Sequence, residues 1–421
     1  MVAIQDPIHG HITLTGDELS LVDERAFQRL RNIKQLGFSE LSFPGATHTR
    51  YAHSLGAMHV AGQIVDQVFD GLGLPPEQAR HLRLCVRLSV LFHDIGHAPL
   101  SHVSEKVMPP VDSLQLPDWL RSSGRQATHE DYTLMLLTES ELSDAVSRAS
   151  GGTLSGQDLA SLVAGELSPK VDEALYRFEG KSLLPLLHAI VSGEVDADRM
   201  DYLRRDAFYC GVNYGNFDHM WLTNNLTAVP SDKHWQLGLR HRGVWAFENF
   251  LLARYHMFLA VYLHHIPVCF DNMLGRYFES GDYALPSDPE GYLETDDIEL
   301  TVHLRRSENI WAKMVAERTP YRLLLERHDY SESPEPQKVE GILEESGVRI
   351  FVSKCKSALS KYVGEASSSP ILVWEPELNR VSRIQDYTPL YSRFSDVVGI
   401  YRIFCHPQDI ERARTLLEEG K

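Results

Sequence analysis

The sequence predicts a mainly α-helical protein that ends in a smaller mixed α/β domain. Apolar residues recur at spacings of three and four residues from Asp17 to about Phe69, in Leu183–Asp206 and in Val244–Phe278. This period is typical of amphipathic helices. Beyond about residue 280 the pattern changes, because short runs rich in β-branched and aromatic residues alternate with helical ones. The order indicates a helical domain followed by an α/β domain.

Loops divide the helical part into segments. A break at Gly71–Glu77 precedes a long apolar helix over about Glu77–Ile95, and Gly96 marks its end. The stretch Val103–Gln126 is rich in Pro, Ser and Asp, which predicts an irregular insertion, and Ser150–Gly156 is predicted to be a second loop. Both loops are expected at the surface.

The C-terminal part has the pattern of a small α/β domain. Its candidate strands are YRLLLE, VRIFV, ILVW and GIYRIF, and its candidate helices are KVEGILEE and DIERARTLLEE. Short strands that alternate with helices predict a mixed α/β unit. The predicted domains are therefore the helical residues 1–280 and the mixed α/β residues 281–421.

Composition restricts the partners and the compartment of the protein. The 421 residues carry a formal net charge of −17, from 41 basic and 58 acidic side chains. This charge repels polyphosphate backbones, so no stable nucleic-acid partner is expected and any nucleotide needs local positive charge. Five cysteines without a CxxC pair indicate a reducing compartment. With no signal-peptide pattern and no long apolar run, we expect a cytoplasmic protein without a membrane partner.

Imidazole and carboxylate side chains are concentrated in four stretches beside apolar helical segments: HTRYAHSLG, LFHDIGHAPLSH, THE and EVDADRMDYLRRD. A buried pair such as His93–Asp94 needs compensation, and a metal ion is one efficient compensator. Any one of these histidines taken alone is more often a satisfied core or surface residue. Together they favour a metal site, with iron, manganese, zinc and magnesium all open as the ion. Mixed imidazole and carboxylate ligands that leave positions for water and substrate suit a hydrolase.

The ordered pattern H…HD…D, formed by His53, His93–Asp94 and Asp198, resembles the HD-domain metal-dependent phosphohydrolases. The longer motifs DPIHGHI, FQRLRNIKQLG, FPGATHTRYAHSLG, HDIGHAPLSH and VDADRMDYLRRD are similar to the deoxynucleoside triphosphate triphosphohydrolase (dNTPase) branch. That branch includes the SAM-and-HD-domain protein of animals. The resemblance covers roughly residues 4–280 and implies an HD-domain helical bundle, here without a SAM domain.

The resemblance implies which residues hold the metal ion and move protons. The expected metal ligands are His53, His93, Asp94 and Asp198. The implied reaction converts a dNTP into a deoxynucleoside and triphosphate, by attack of metal-bound water on the α-phosphorus. The match to the family's GHxPxSH motif makes His102 the expected general acid, and His97 and His129 are expected to bind phosphate or relay protons.

The resemblance also implies a set of substrate contacts. The expected residues are Gln35, Leu36, Arg50, Arg199, Tyr202, Asp206, Arg254 and Tyr262. Arginine at two of these positions, Arg50 and Arg254, fits phosphate oxygens with two parallel hydrogen bonds. The tyrosines and Asp206 are expected at the sugar, and Gln35 and Leu36 at its 3′ side. A tight wall at the 2′ carbon would exclude ribonucleotides.

Two further expectations come from the resemblance. Asp23, Gln28 and Arg31 match part of the family's guanine-nucleotide activator site, although Trp221 stands where relatives have another activator-binding arginine. A solvated helix face is the alternative reading of this basic stretch. A homo-oligomer, either dimer or tetramer, is expected because the family commonly assembles through its helical domain. Near the substrate, Phe258 replaces a histidine of the animal protein.

Two other functions remain open at this stage. The same metal site could act on a nucleoside monophosphate, a ribonucleotide or an oligonucleotide. Alternatively, the protein could be a nucleotide sensor or scaffold whose HD site is vestigial. All four candidate ligands are present, which favours an enzyme.

Overall fold

The computed structural model describes residues 1–329, 335–357, 371–390 and 398–419. The predicted mainly α-helical fold is confirmed. The helices of residues 1–320 are α1 Gly16–Val22, α2 Arg25–Gln28, α3 Arg50–Leu72, α4 Pro76–Phe92, α5 His129–Glu139, α6 Glu141–Ala149, α7 Gly156–Ala164, α8 Leu184–Val191, α9 Ala197–Cys210, α10 His219–Asn224, α11 Val244–Met257, α12 His265–Phe278, α13 Pro289–Leu293, α14 Asp297–Arg306 and α15 Ile310–Ala316. Those that follow are α16 Glu335–Glu345, α17 Ile384–Tyr387 and α18 Ile410–Glu419.

Small sheets accompany these helices. The strands are β1 Val2–Asp6, β2 Gly10–Leu14, β3 Arg177–Phe178, β4 Lys181–Ser182, β5 Leu226–Pro230, β6 Trp235–Arg240, β7 Arg322–Asp329, β8 Ile350–Ser357, β9 Leu372–Glu375, β10 Arg380–Arg383 and β11 Val398–Cys405. The described strands β7, β11 and β8 form an antiparallel sheet in that order. One face of this sheet packs on α16 and α18 through a separate apolar cluster, so the predicted α/β unit is confirmed.

Long-range pairing also joins the C-terminal part to the helical part. The four-stranded sheet has the order β10-β9-β6-β5. In it β9 runs parallel to β6, with Gly238 opposite Leu372. The hairpin β5–β6 was not predicted from the sequence, because its pairing with a strand more than a hundred residues later leaves no local pattern.

The centre of the helical part is the packing of α3 against α4 and α9. Helix α3 is buried along most of its length and ends at Gly73, whose left-handed backbone (φ 72°) stops the helix. A Cβ atom at Gly56 of α3 would lie 2.1 Å from Asp201 Oδ1 of α9. Glycine at this position therefore allows the two helices to approach closely.

Helices α13–α15 pack against the helical part. The Tyr292 ring stacks on the Tyr132 ring with centroids 3.8 Å apart, and its hydroxyl donates to the carbonyl of Gly96 at 2.6 Å. The guanidinium of Arg29 donates to the carbonyl of Thr295 at 2.6 Å. The boundary between residues 280 and 281 stays a prediction, and the first helices beyond it contribute to the helical core.

No single helix among the described residues is long and apolar enough to cross a bilayer. Two consecutive segments, His241–Tyr262 and His265–Phe278, meet the length and composition criterion together, with a bend of 64° between them.

A buried ion pair ties α1 to α4. Glu18 accepts a hydrogen bond from Arg87 Nε at 2.6 Å, and both side chains are at most 7% exposed. Burial alone would raise the pKa of Glu18, but the hydrogen bond and the charge of Arg87 lower it below its usual value. Because the pKa is lowered by folding, the pair stabilises the protein at neutral pH and loses this contribution as the pH falls through the folded-state pKa.

Replacing Glu18 by Gln is expected to destabilise the protein by about 3–5 kcal/mol, because it leaves the buried Arg87 charge without its partner. Urea unfolding at pH 7 measures this change. The control is Glu77→Gln, which removes an exposed pair with Arg80 and is expected to cost less than about 1 kcal/mol. Equal losses in the two variants would contradict the role assigned to the buried pair.

Candidate metal centre and active-site cavity

Three helical elements bring two histidines and an aspartate to one point. His53 comes from the first turn of α3, His93 from the C-terminal end of α4, and Asp198 from the first turn of α9. Asp198 Oδ1 lies 2.9 Å from His53 Nε2 and 3.4 Å from His93 Nε2. Asp94 lies beside them, with Oδ1 3.3 Å from His93 Nε2 and Oδ2 3.7 Å from His53 Nε2. The four predicted metal ligands therefore converge.

The Nδ1 atoms of His53 and His93 already have hydrogen-bond partners. His53 Nδ1 lies 2.8 Å from Asp201 Oδ2, and His93 Nδ1 lies 2.6 Å from the carbonyl of Val90. Both contacts fit an Nδ1–H that donates, so the lone pair of each Nε2 faces the cluster. A histidine that ligates a metal is typically oriented in this way by a carboxylate or a carbonyl.

Asp201 stands at the centre of a network beneath the cluster. Besides His53, it accepts from both Nε and Nη2 of Arg205 at 2.8 and 2.9 Å, and His9 Nε2 lies 2.6 Å from it. Arg205 Nη1 donates to Asp6 at 2.8 Å, and Asp6 accepts from the backbone amides of residues 8 and 9. Burial opposes the ionised form of Asp201, but the charge of Arg205 and these hydrogen bonds lower its pKa well below the usual value.

The electrostatics of the cluster favour a cation. Burial raises the pKa of Asp198, yet the close imidazoles of His53 and His93, at 2.9 and 3.4 Å, dominate and lower it. The charge of Arg50 similarly overcomes burial and keeps the pKa of Asp94 well below its usual value. Burial disfavours a proton on His53, but the adjacent carboxylates of Asp198 and Asp201 raise its pKa to about 10. Ionised carboxylates thus favour positive charge where the imidazoles meet.

The residues fit a divalent metal ion. His53 Nε2 and His93 Nε2 are buried and have no hydrogen-bond partner, although each lies close to carboxylate oxygens. Among the described residues His53, His93 and Asp198 each offer a ligand atom, and these atoms lie within 4.8 Å of one another. Two imidazoles with carboxylates suit iron, manganese or zinc better than magnesium, which prefers oxygen ligands.

Three of the four predicted ligands, His93, Asp94 and Asp198, lie in the wall of a cavity of about 410 Å³. Every residue predicted to contact the substrate lines this cavity, and so do the three histidines predicted for catalysis. The lining residues from these sets are Gln35, Leu36, Arg50, His97, His102, His129, Arg199, Tyr202, Asp206, Arg254 and Tyr262. Their assigned roles stay predictions, but their common location agrees with one substrate site.

Histidines 97, 102 and 129 form a second cluster around Glu105. Glu105 Oε1 lies 2.9 Å from His102 Nδ1 and 2.6 Å from His129 Nδ1. Burial would raise the pKa of Glu105, but hydrogen bonds with both histidines lower it to about 2. The His97 and His129 rings stack with centroids 3.9 Å apart and an interplanar angle of 16°. The ligand atoms of these three histidines and Glu105 lie within 4.8 Å of one another, so this cluster is also compact enough to hold a metal ion.

Buried contacts hold the strained backbone just before His102. Leu100 and Ser101, both before His102, adopt left-handed backbone conformations with φ of 56° and 62°. Such conformations are costly for residues other than glycine and persist where the surroundings hold them. Here Asp297 accepts from the Leu100 amide at 2.7 Å, and Ser101 Oγ accepts from Arg50 Nε at 3.0 Å. Residues beyond the HD motifs therefore help to shape the site.

A π-helical turn follows α11 and brings Tyr262 to the cavity. The Tyr262 hydroxyl donates to Asp206 Oδ2 at 2.7 Å, and His48 Nε2 lies 2.7 Å from Asp206 Oδ1. Burial and the nearby Asp206 raise the pKa of Tyr262 well above its usual value. The phenol consequently stays protonated and remains a hydrogen-bond donor. Arg254 lies with its guanidinium carbon 5.2 Å from the centre of the Phe258 ring.

The residues predicted for an activator site lie outside this cavity. Arg31 Nε donates to Gln28 Oε1 at 2.7 Å, and Gln28 Nε2 donates to the carbonyl of Val22 at 2.7 Å. The Arg31 guanidinium lies 3.6 Å from the centroid of the Tyr51 ring. Asp23 caps the C-terminal end of α1. The two readings of this stretch, as a nucleotide site and as a solvated face, both stay predictions.

Several site residues were not assigned a role from the sequence. Glu105 follows His102 by three residues, a spacing that could have pointed to it. Asp201 follows Asp198 by three and is predicted on the same polar helix face, but no role was assigned to it. Asp6 and His9 belong to the motif DPIHGHI, but their contact with α9 spans nearly two hundred residues. Asp271 of α12 also lines the cavity and carries no local signal in the sequence.

Replacing Asp198 by Ala is expected to abolish metal binding, because it removes the oxygen shared by both imidazoles. Metal content after dialysis, measured by inductively coupled plasma mass spectrometry, tests this. The purified wild-type protein is expected to carry iron, manganese or zinc. A variant that retains a full equivalent of metal would exclude Asp198 as a ligand.

Replacing Asp201 by Asn is expected to lower metal affinity by about 10- to 100-fold without abolishing it, because it weakens the group that orients His53. Competition with a chelating dye measures this affinity. The matched control is Asp66→Asn, at an exposed carboxylate paired with Arg83 on the surface, for which no change is expected. Unchanged affinity in the Asp201 variant would show that the network does not act on the metal centre.

Comparison with known proteins agrees with this geometry. The family model described as "HD domain" matches residues 50–206, and the model described as "HD associated region" matches residues 217–354. The uncharacterized protein MJ1154 of Methanocaldococcus jannaschii is 31% identical over 77% of this chain and 60% of its own length. The human deoxynucleoside triphosphate triphosphohydrolase SAMHD1 is 27% identical over 87% of this chain and 55% of its own length. The chain thus spans a little over half the length of these relatives.

A solved structure shares the whole architecture. The crystal structure of a hypothetical protein from Aquifex aeolicus has a TM-score of 0.77 and 26% sequence identity, and the match covers 99% of both chains. The two matched family models follow one another along the chain and contain the metal cluster, the histidine cluster and the loop-holding Asp297. The chain therefore belongs to the HD-domain family of metal-dependent phosphohydrolases, with an HD-associated region after its HD domain.

Proposed function

We propose that this phosphohydrolase cleaves deoxynucleoside triphosphates into deoxynucleoside and triphosphate. The observation that supports it most directly is the arrangement of the cavity. It brings together the candidate metal ligands, several arginines, and His102 and His129, which both contact Glu105. The similarity to human SAMHD1, a deoxynucleoside triphosphate triphosphohydrolase by name, adds support. In the reaction, a water oxygen bonds to the α-phosphorus, the bond from phosphorus to the 5′ oxygen breaks, and the 5′ oxygen takes up a proton.

Local positive charge suits a triphosphate. Arg50, Arg199 and Arg254 line the cavity of a chain whose net charge is −17. Guanidinium groups bind phosphate oxygens through two parallel hydrogen bonds and stay charged at any physiological pH. A divalent metal ion held by His53, His93, Asp94 and Asp198 would supply an activated water and neutralise charge on the phosphoryl oxygens.

The leaving 5′ oxygen needs a proton donor, and His102 is the best candidate. Its Nδ1 contacts the ionised Glu105 at 2.9 Å, which leaves Nε2 available to the substrate. A carboxylate in this position orients the imidazole and stabilises its protonated form. His97 is unsuited to this step, because burial and the charges of Arg50 and His129 lower its pKa well below the usual value and keep it neutral.

The sugar end of the cavity suits a deoxyribose. Tyr202 and Tyr262 have ring centroids 6.2 Å apart and are close to perpendicular, and Tyr262 is held by its hydrogen bond to Asp206. These rings form a rigid wall against which a sugar can pack. A tight wall at the 2′ carbon would exclude an added 2′ hydroxyl by steric conflict.

Incubation of the metal-loaded protein with each dNTP and each NTP tests the reaction. Chromatography of the nucleoside and phosphate products is expected to show deoxynucleoside and intact triphosphate from dNTPs and little turnover of NTPs. Release of only pyrophosphate or only inorganic phosphate would refute the assigned bond. Turnover restricted to a nucleoside monophosphate, a ribonucleotide or an oligonucleotide would move the function to that substrate.

Replacing His102 by Ala is expected to lower kcat by about 10²- to 10⁴-fold with metal content retained, because it removes the proton donor alone. Glu105→Gln is expected to cause a smaller loss, since Gln keeps a hydrogen-bond acceptor without the charge. Initial rates together with metal analysis separate the two effects. Loss of metal in the His102 variant would instead make it a ligand.

A further inference from the structure

A buried histidine outside the cavity contacts one of the carboxylates that line it. The His48 side chain is fully buried, and its Nε2 lies 2.7 Å from Asp206 Oδ1. Asp206 lines the cavity, whereas His48 is absent from the described residues that do so. The other oxygen, Asp206 Oδ2, accepts a hydrogen bond from the Tyr262 hydroxyl at 2.7 Å. The carboxylate is therefore held through both oxygens, by one group inside the cavity and one outside it.

The His48 ring is fixed in a single orientation. It stacks on the Tyr209 ring with centroids 4.5 Å apart and an interplanar angle of 19°. Because Tyr209 follows Asp206 by three residues in α9, both partners of the ring lie on one face of the same helix. His48 Nδ1 is buried and has no hydrogen-bond partner in the described part of the chain. A carboxylate only accepts hydrogen bonds, so the arrangement fits the tautomer whose proton is on Nε2 and points at Asp206.

The backbone of His48 is joined to a second part of the cavity wall. Its carbonyl accepts a hydrogen bond from the backbone amide of Gln35 at 3.0 Å, next to an antiparallel bridge between Lys34 and Thr49. Gln35 lines the cavity, and its side-chain oxygen is buried without a hydrogen-bond partner among the described residues. His48 thus connects Gln35 through its main chain with Asp206 through its ring.

The sugar hydroxyl is the part of a dNTP that suits these groups. Asp206 and Gln35 both present acceptor oxygens, and a carboxylate oxygen that already accepts one hydrogen bond can accept another. The negative charge of Asp206 would repel phosphate oxygens. In a deoxynucleoside 5′-triphosphate the 3′ hydroxyl is the only hydroxyl group of the sugar. It is therefore the donor that Asp206 is expected to receive, beside the wall formed by Tyr202 and Tyr262.

We infer that His48 is a positioning residue for sugar recognition, whose Nε2–H holds Asp206 in the orientation that accepts a hydrogen bond from the 3′ hydroxyl. The inference rests on the proposed function and adds a group from outside the cavity to its substrate site. Without this donor the Asp206 carboxylate would be held by Tyr262 alone and would have to be ordered when the substrate binds. Recognition of a hydroxyl group is weaker when its partner is not held in place beforehand.

The test compares dNTPs with the corresponding 2′,3′-dideoxynucleotides in three proteins. Wild-type kcat/KM is expected to be about 10-fold higher for the dNTP, as one hydrogen bond to a charged group predicts. This ratio is expected to fall toward one in His48→Phe, which keeps a ring on Tyr209 but has no donor. In His48→Gln, which keeps an N–H at the end of the side chain, much of the ratio is expected to return. The change is expected in KM more than in kcat, because the contact is made alike in the bound substrate and the transition state.

Controls separate positioning from packing. His234→Phe changes an exposed histidine between β5 and β6 and is expected to leave the ratio unchanged. A general loosening of the fold would lower kcat/KM equally for both nucleotides, so the ratio would not move. Thermal unfolding shows whether each variant is folded, and His48→Leu replaces His48→Phe if that variant is not. Equal use of the two nucleotides by the wild-type protein would overturn the inference. So would an unchanged ratio in the folded variant without a donor, or an equal loss in His48→Gln.

A binding measurement keeps this inference separate from the proposed function. If the wild-type protein hydrolyses no dNTP, the proposed function fails. Calorimetric titration with deoxyadenosine and 2′,3′-dideoxyadenosine then still examines the role of His48. Tighter binding of deoxyadenosine that is lost in His48→Phe supports the positioning role, and equal binding of the two nucleosides by the wild-type protein overturns it.

Discussion

The structure depends on one buried carboxylate, that of Asp201. It accepts hydrogen bonds from Arg205 of its own helix and contacts His53 of α3 and His9 of the N-terminal hairpin, so three separate segments meet at one charged group. An ionised carboxylate without water is stable only when nearly all its acceptor sites are used, and here they are. The same contact orients His53 toward the metal cluster. Stability of the core and geometry of the site are therefore consequences of the same interaction.

Charge is distributed unevenly between the protein as a whole and its cavity. The chain is strongly acidic, yet the cavity gathers Arg50, Arg199 and Arg254 beside carboxylates that attract a metal ion. Two of these arginines are paired with buried carboxylates, Arg50 with Asp94 and Arg199 with Asp196. Because these pairs are shielded from solvent, they act on a bound phosphate more strongly than surface charges would. The global charge thus limits long-range attraction of polyanions, while the cavity suits one small polyanion.

The HD-associated region has a structural part in the site. Asp297 of α14 accepts from the backbone amides of Leu100 and Lys34, at 2.7 and 3.0 Å, and so joins two loops that border the cavity. Burial raises the pKa of Asp297 to about 6, although these backbone hydrogen bonds oppose the rise. Tyr292 meanwhile binds the carbonyl of Gly96 within the HD motif. The strained loop before His102 is therefore held by residues almost two hundred positions later in the chain.

The helical class and the α/β tail could be predicted from local patterns, and so could the candidate metal ligands His53, His93, Asp94 and Asp198. Helical period and strand alternation are local properties of the sequence. Candidate ligands such as His93 and Asp94 lie in short motifs that resemble those of the HD-domain family. The polar groups that stand behind and opposite those residues could be found only from the tertiary contacts. Asp201 and Glu105 each follow a predicted site residue, Asp198 and His102, by three positions. Asp271, in contrast, is brought to the cavity only by the packing of α12. The physical reason is that burial and hydrogen-bond partners arise from contacts between distant segments, which no local pattern records.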